Sequence, residues 1–236
     1  LEIPGLVDLV VTAFNKMPYE TTVNVIAPDG AYMLMSDIAV TGGTDQILDY
    51  GETGSLYTTF ENVGQDLSED LTFTLIHEAG MVTLNSNVIQ NGSIAAGIEV
   101  TIGPFEFQVS WNVDDGGLIP FVIQATDNIE TWEYEVNIPV EAPDYNLMSV
   151  DFLDLGNGTL DPGENTTMQL ILTNVGHSPV SSPTFEATTS DPNIILGAVE
   201  SDNAYWWEID SQVTITIEVA AVDDALVGHT ALLGII

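Results

Sequence analysis

One duplicated stretch limits what this chain can fold into. Residues 42–64 read GGTDQILDYGETGSLYTTFENVG, and residues 154–176 read DLGNGTLDPGENTTMQLILTNVG. In each stretch an acidic turn with Gly or Pro leads into a strand of alternating residues that ends at Asn-Val-Gly. Asp49 matches Asp161, so the repeat offset between the two copies is 161 − 49 = 112. Agreement at one fixed offset over about fifty residues indicates an internal repeat.

The matched positions combine turn residues with strand residues. At the repeat offset, the identical pairs include Leu48/Leu160, Asp49/Asp161, Gly51/Gly163, Glu52/Glu164, Asn62/Asn174, Val63/Val175, Gly64/Gly176, Phe73/Phe185 and Leu84/Leu196. Farther along the register slips, although the run Val113-Asp114-Asp115 recurs as Val222-Asp223-Asp224.

Alternation with a period of two predicts short strands along the whole chain. The predicted strands cover residues 6–14, 21–27, 56–61, 71–76, 81–84, 105–111, 118–126, 132–138 and 213–219. No stretch shows a convincing helical period. Many short strands between Gly and Pro turns are typical of sandwiches. We therefore predict an all-β fold of tandem antiparallel immunoglobulin-like β-sandwiches.

Three segments follow from the repeat and from a proline-stiffened linker at 139–144. Residues 1–30 are predicted to be a hairpin from the end of an upstream immunoglobulin-like domain. Residues 31–142 form the first β-sandwich repeat, and residues 143–236 form the second. We expect the second repeat to be incomplete at its C-terminal end, because the sequence stops at Ile236, soon after Asp224.

The charge of the chain excludes several classes of partner. The chain has 36 acidic residues and a single basic one, Lys16, so its formal net charge is −35. Nucleic acid is excluded because phosphate contacts need Lys and Arg. No apolar run is long enough for membrane insertion. The chain has no Cys, so its stability depends on core size, association or bound ions.

Two acidic loops are candidate calcium sites, because Ca²⁺ takes six to eight oxygen ligands from such loops. The candidate ligands are Asp154, Asn157, Asp161 and Glu164 in the second copy, and Asp45, Asp49 and Glu52 in the matching but poorer set of the first. The alternative is turn chemistry, in which Asp and Asn hold Asx-turns and Gly supplies a positive φ. Calcium is therefore a possible ligand, and no cofactor is required.

Other residue types give no coherent catalytic pattern. His77, His177 and His229 lie far apart in sequence, and no G-x-S-x-G motif accompanies them. The acid pairs Asp114-Asp115 and Asp223-Asp224 recur in both copies, which favours loops over one active site. Trp206-Trp207 could form an aromatic platform for a sugar, or the two rings could point to opposite faces.

The run GNGTLDPGEN, followed by an alternating strand and TNVG, resembles repeats downstream of the catalytic domain in large secreted bacterial proteins. Gingipain-like cysteine peptidases are among them. The segment LVDLVVTAFNKMPYETTVNVIAPDGAYM is similar to the closing strands of the immunoglobulin-like domain in that family. A TVT-x-HN-x-x-PY pattern is frequent there, and Phe14 stands where His is commoner. The family's nucleophile is a Cys, so no catalytic residue carries over to this chain.

The resemblance implies a secreted or cell-surface location and a role beside an enzyme. We expect a non-catalytic structural or adhesive module of a larger extracellular protein. Its partners would be proteins, by self-association or through neighbouring domains, or a surface glycan. The alternative is a subunit of an extracellular filament assembled by strand complementation between copies, because strand addition at a sheet edge can join copies.

Overall fold

The computed structural model describes residues 5–43, 47–78, 80–153, 157–203 and 205–236, and every regular element within them is a β-strand. The fold is therefore all-β, as the alternation predicts. Contacts divide the chain into two compact units. Unit 1 comprises Leu1–Val113 and Gly117–Val140, and unit 2 comprises Asp114–Gly116 and Glu141–Ile236.

In the described residues of unit 1, ten strands form three antiparallel sheets. The strands are β1 (Gly5–Val11), β2 (Tyr19–Val25), β3 (Met33–Gly42), β4 (Thr53–Asn62), β5 (Leu71–Ile76), β6 (Val82–Ser86), β7 (Val88–Asn91), β8 (Glu99–Val109), β9 (Gly117–Thr126) and β10 (Thr131–Val140). The two larger sheets have the orders β3-β4-β8-β6 and β10-β9-β5-β7. This crossed arrangement of sequential strands is that of an immunoglobulin-like sandwich.

The core of unit 1 lies between these two sheets. The rings of Phe60 and Phe73 join β4 to β5 with centroids 4.8 Å apart, and those of Phe107 and Phe121 join β8 to β9 at 5.0 Å. Each of the four side chains is at most 1% exposed. Full burial of one such side chain contributes about 1.5–3 kcal/mol, so this core can hold the unit together without disulfides.

The strands of unit 2 repeat this plan, although some of them are only two or three residues long. They are β11 (Tyr145–Leu153), β12 (Asn165–Asn174), β13 (Val180–Ser181), β14 (Ala187–Thr189), β15 (Ile194–Ser201), β16 (Trp206–Trp207), β17 (Gln212–Ala221) and β18 (Leu233–Ile235). The main sheet has the order β11-β12-β17-β15, and two-stranded sheets pair β13 with β16 and β14 with β18. Its buried cluster includes Met168, Leu170, Trp207, Val213, Ile215, Ile217 and Val219.

The main sheets of the two units share a β-bulge between their first two strands as well as their strand order. The pairing of β3 with β4 shifts between Met35 and Asp37, and that of β11 with β12 shifts between Leu147 and Ser149. The positions of these two β-bulges differ by the repeat offset (147 − 35 = 112). Bulges are specific features of a strand pair and not defects, so their recurrence supports the repeat independently of residue identity.

The pairing of β4 with β8 contains a further local irregularity that the main sheet of unit 2 lacks. Leu56 pairs with Phe105 and Thr58 with Ile102, so β8 uses one residue more than β4 over this stretch. The pairing of β12 with β17 has no such shift. The additional residue lies at Gly103-Pro104, where Gly103 has a φ of +147°.

Candidate functional site

The Asn-Val-Gly motif at the end of β4 forms a buried polar centre in unit 1. The Asn62 side chain is 0% exposed. Its Oδ1 accepts hydrogen bonds from the Tyr32 N–H at 3.0 Å and the Gly64 N–H at 3.1 Å. Its Nδ2 donates to the carbonyl oxygens of Asp66 and Ile94, both at 2.8 Å. One amide thereby satisfies four groups of the backbone.

The second motif makes the equivalent bonds in unit 2. The Asn174 side chain is also 0% exposed. Its Oδ1 accepts from the Asp144 N–H at 3.3 Å and the Gly176 N–H at 3.1 Å, and its Nδ2 donates to the Ser178 carbonyl at 2.8 Å. These three partners match Tyr32, Gly64 and Asp66 at the repeat offset (144 − 32 = 112).

The glycine of each motif touches the segment that leads into its own unit. A Cβ on Gly64 would lie 2.2 Å from the Gly30 carbonyl oxygen, and one on Gly176 would lie 2.4 Å from the Ala142 oxygen. No side chain fits at such distances. Backbone bonds reinforce the contact, because Gln65 N–H donates to the Gly30 oxygen and His177 N–H to the Ala142 oxygen. The motif therefore fastens the entering segment to each unit.

The acidic loops are also equivalent in the two units. Glu52 Oε2 accepts from the Asp49 N–H at 3.0 Å, and Glu164 Oε2 accepts from the Asp161 N–H at 2.9 Å. In the second loop Asn157 Nδ2 also donates to Asp161 Oδ2 at 2.9 Å. Each loop thus makes the side-chain-to-backbone bonds that hold a tight turn.

Only some of the predicted calcium ligands lie among the described residues. Asp45 and Asp154 lie outside the described residues. Among the residues that are described, no group of three or more His, Asp or Glu side chains is arranged to hold a metal ion. Calcium binding by Asn157, Asp161 and Glu164, or by Asp49 and Glu52, stays a prediction.

His177 and Asp115 form an ion pair within unit 2, with His177 Nδ1 2.7 Å from Asp115 Oδ2. The hydrogen bond and the charge of Asp115 raise the pKa of the His177 imidazole above its usual value. Desolvation raises the pKa of Asp115, but hydrogen bonds from the Ala142 N–H and from His177 outweigh it, so that pKa lies below its usual value. Sequence analysis missed this pair because the two residues are 62 positions apart.

The other two histidines have local partners. His77 Nδ1 lies 2.8 Å from the Pro120 carbonyl oxygen, and its Nε2 accepts from the Met81 N–H at 3.0 Å. His229 Nε2 lies 2.5 Å from Asp191 Oδ2, and this hydrogen bond lowers the pKa of the Asp191 carboxyl. Both arrangements tie loops to neighbouring backbone or side chains, which is a structural task.

The aromatic run of unit 2 divides between the interior and the surface. Trp207 is 1% exposed, stacks on Tyr145 with centroids 4.9 Å apart, and donates from Nε1 to the Ser211 carbonyl at 3.0 Å. Trp206 is 48% exposed. The two rings therefore point to opposite faces, as one of the two interpretations of the sequence predicted.

The acid pairs of the Val-Asp-Asp runs lie in turns but differ in their surroundings. Val109 N–H donates to the Glu52 carbonyl and Ala221 N–H to the Glu164 carbonyl, which makes Val109 and Ala221 equivalent. Val113 comes four residues after Val109, whereas Val222 comes one residue after Ala221. The recurrence of Val-Asp-Asp is therefore not a structural equivalence. Asp115 binds His177, whereas Asp223 Oδ1 packs against Gly163.

No protein-family model matches this sequence, and no curated protein matches it. Among solved structures, the chain is similar to the secreted serine protease VesC from Vibrio cholerae at 11% identity and a TM-score of 0.26, over 80% of this chain and 48% of that one. It therefore spans about half the length of VesC.

Two further structures are similar at the same level. A protein of unknown function from Porphyromonas gingivalis W83 has 14% identity and a TM-score of 0.28, over 80% of this chain and 83% of that one. The E. coli alpha-2-macroglobulin has 10% identity and a TM-score of 0.28, over 92% of this chain and 17% of that one. Similarity this low carries no argument about function. The described residues include no helix with the length and apolar character needed to cross a membrane.

Proposed function

We propose that this chain is a non-catalytic structural and adhesive β-sandwich module of a larger extracellular protein. The observation that carries the proposal is the recurrence of one buried hydrogen-bond set, around Asn62 and Asn174, at the repeat offset (174 − 62 = 112). Both sites use an Asn that is bonded to the backbone at three equivalent positions, which serves a task that every copy needs. A catalytic centre needs to be built only once.

The use of the acidic and histidine side chains supports the same proposal. Glu52 and Glu164 accept bonds from the backbone of their own loops. His77 is bonded on both ring nitrogens, and His177 and His229 each pair with an aspartate. These bonds hold loops in place.

An extracellular or cell-surface location fits the composition. The chain has no Cys to oxidise, one basic residue and a net charge of −35. A highly acidic surface favours solubility and resists unspecific association. The partners we propose are neighbouring domains, other copies of the chain, or a surface glycan.

Force spectroscopy tests the structural role directly. The 236-residue chain is held between two handles and extended. A structural module of two folded units gives two separate unfolding peaks. At about 3.3–3.6 Å per residue, each peak should release roughly 300–500 Å of chain, with the shorter release from unit 2. Extension without any peak would refute the structural role. Hydrolysis of peptide or glycoside substrates that stops in a His229→Ala variant would refute the non-catalytic assignment.

A further inference from the structure

Trp111 lies on the surface of unit 1, in the turn that follows β8, and is 68% exposed. A Cβ on Gly51 would lie 2.6, 2.7 and 2.7 Å from three consecutive atoms of the six-membered ring of the indole, Cζ3, Cε3 and Cη2. Such near-equal distances place Gly51 over the flat face of the ring and not at its edge. Tyr50 meets the same ring edge-on, with centroids 5.4 Å apart and planes at 82°. One face of the indole is therefore held against unit 1, and the other is open to solvent.

The loop under this ring is built in the same way in both units. Gly51 N–H donates to the Ser110 carbonyl at 3.4 Å, and Gly163 N–H donates to the Val222 carbonyl at 3.2 Å. Donors and acceptors both differ by the repeat offset (163 − 51 = 112 and 222 − 110 = 112). The two glycines also share a positive φ, of +70° and +78°. The backbone beneath the ring is thus common to both copies.

The aromatic side chains on this loop belong to unit 1 alone. The residue equivalent to Trp111 is Asp223 (223 − 111 = 112), and the residue equivalent to Tyr50 is Pro162 (162 − 50 = 112). Asp223 takes the place of the indole over the glycine, since its Oδ1 would lie 2.9 Å from a Cβ on Gly163. A small polar side chain therefore fills this position in unit 2.

This difference separates what the fold requires from what it does not. Asn62 and Asn174 recur because each unit needs the same buried bonds, whereas the loop closes with or without the indole. Because Trp111 stays mostly exposed, it contributes little burial to the core. A ring already held by its neighbours loses little conformational freedom on binding, and Trp is among the residues that dominate binding at interfaces. We infer that the indole serves a contact outside the fold.

The charge of the chain selects the kind of partner that fits this ring. The face of an indole is negative and attracts a cation placed over it. Asp49 and Glu52 flank the Tyr50-Gly51 pair, and the net charge of the chain is −35. Its only Lys or Arg is Lys16, in the turn between β1 and β2. An anionic partner is therefore repelled, and a cationic one is attracted both by the ring and by the charge around it.

We propose that Trp111, supported by Tyr50 and Gly51, binds an Arg or Lys side chain of a partner protein. The cation lies over the open face of the indole. Arg fits better than Lys, because its planar guanidinium also stacks on an aromatic face. This inference rests on the proposed structural and adhesive role and names the chemistry of one partner for it.

NMR of the ¹⁵N-labelled 236-residue chain tests the proposal through the indole N–H signals of its tryptophans. The probe is the blocked peptide acetyl-Gly-Arg-Gly-amide, at up to about 10 mM because a single exposed contact binds weakly. Its control is the same peptide with citrulline, which has nearly the shape of Arg without its charge. A third probe, maltotriose, is a neutral sugar. We expect the Trp111 signal to shift with the Arg peptide alone, and the Trp206 signal to stay in place.

Trp111→Asp separates stacking on the ring from attraction by charge. Unit 2 carries Asp223 at this position, so the loop accommodates the change, and an unchanged Tm of unit 1 verifies it. The substitution makes the chain more acidic, and attraction by charge alone would keep or strengthen binding. Stacking on the indole predicts the opposite, a loss of affinity of at least about twofold, followed at the backbone amides of Tyr50 and Gly51. Trp206→Ala, at an exposed Trp of unit 2, should leave the affinity unchanged.

Several outcomes would overturn the proposal. Equal shifts with the Arg and citrulline peptides would show that the cation is not recognised, and full binding by Trp111→Asp would show that the indole is not used. A Trp111 signal that shifts with maltotriose and not with the Arg peptide would make the ring a sugar platform instead. No shift with any probe would leave the ring without a binding role. None of these results bears on the unfolding peaks that test the structural role.

Discussion

A buried carboxamide destabilises a protein unless its polar atoms find partners, and each one left unsatisfied costs about 1–3 kcal/mol. Asn62 and Asn174 meet this requirement with backbone partners at three equivalent positions. Their bonds hold groups that are distant in sequence, since Asn62 joins Tyr32 to Ile94. These residues are therefore the centre of each unit's polar structure.

Asn62→Ala and Asn174→Ala should each lower the free energy of unfolding by about 3 kcal/mol, because several buried backbone groups lose their partner at once. Urea unfolding followed by fluorescence measures the loss. The control is Asn146→Ala, at an exposed position in β11, which should change stability by less than about 0.5 kcal/mol. An Asn62→Ala chain as stable as the control would contradict the role of the motif.

The pair of His177 and Asp115 predicts a pH dependence with a definite sign. The pKa of His177 is raised above its ordinary value of 6.5 by Asp115, with smaller contributions from Glu141 and Asp210. A raised pKa stabilises the folded state fully below the unfolded value, and the effect is lost as pH rises through the folded value. Asp115 stays ionised while His177 titrates, because the pKa of the Asp115 carboxyl is lowered.

Comparison of wild-type Tm with that of His177→Gln, from about pH 5 to about pH 9, tests this sign. The wild-type advantage should be largest at the acidic end and should shrink at the basic end. A difference that grows with pH would contradict the assignment of the pair.

At the scale of elements, each acidic loop is closed by a glutamate that bonds the backbone three residues earlier. Glu164→Ala should destabilise unit 2 by about 1 kcal/mol, whereas Glu164→Gln keeps an acceptor and should retain most of that stability.

The calcium hypothesis makes a separate prediction for the same loop. Excess EGTA should lower the Tm of the wild-type chain, and Glu164→Gln should reduce this shift. An unchanged Tm in EGTA would remove calcium from the account.

The sequence predicted strands well where alternation is uninterrupted. The strand predicted at 71–76 is β5 at Leu71–Ile76, and the one at 118–126 is β9 at Gly117–Thr126. The predicted start of β8 was wrong. The sequence placed it at Phe105, whereas the strand begins at Glu99, because the bulge at Gly103-Pro104 breaks the period of two.

The candidate site was harder to predict from the sequence than the strands were. The repeat revealed Asn62 and Asn174 as a pair, but not their burial or their partners. Such partners as Ile94, 32 residues away, are brought near only by the folded sandwich. The bond between Asp115 and His177 was missed for the same reason. Only local features, such as the turns closed by Glu52 and Glu164, could be inferred from spacing.

At the scale of the whole molecule, repulsion among like charges opposes the compact state, because the chain has 36 acidic side chains and only one Lys or Arg. Raising NaCl from about 0.02 M to about 1 M screens these charges, so the Tm should increase. Differential scanning calorimetry at low protein concentration measures the shift without contribution from association. A Tm that falls over this range would mean that attractive ion pairs outweigh the repulsion.

The central claim is that two copies of one building block are held by the same buried motif. Hydrogen exchange measured by NMR tests it at the amides of Tyr32, Val63 and Gly64, and at those of Asp144, Val175 and Gly176. The account predicts that all six exchange at least about 100-fold more slowly than free peptide. Protection of one set with free exchange of the other would contradict it.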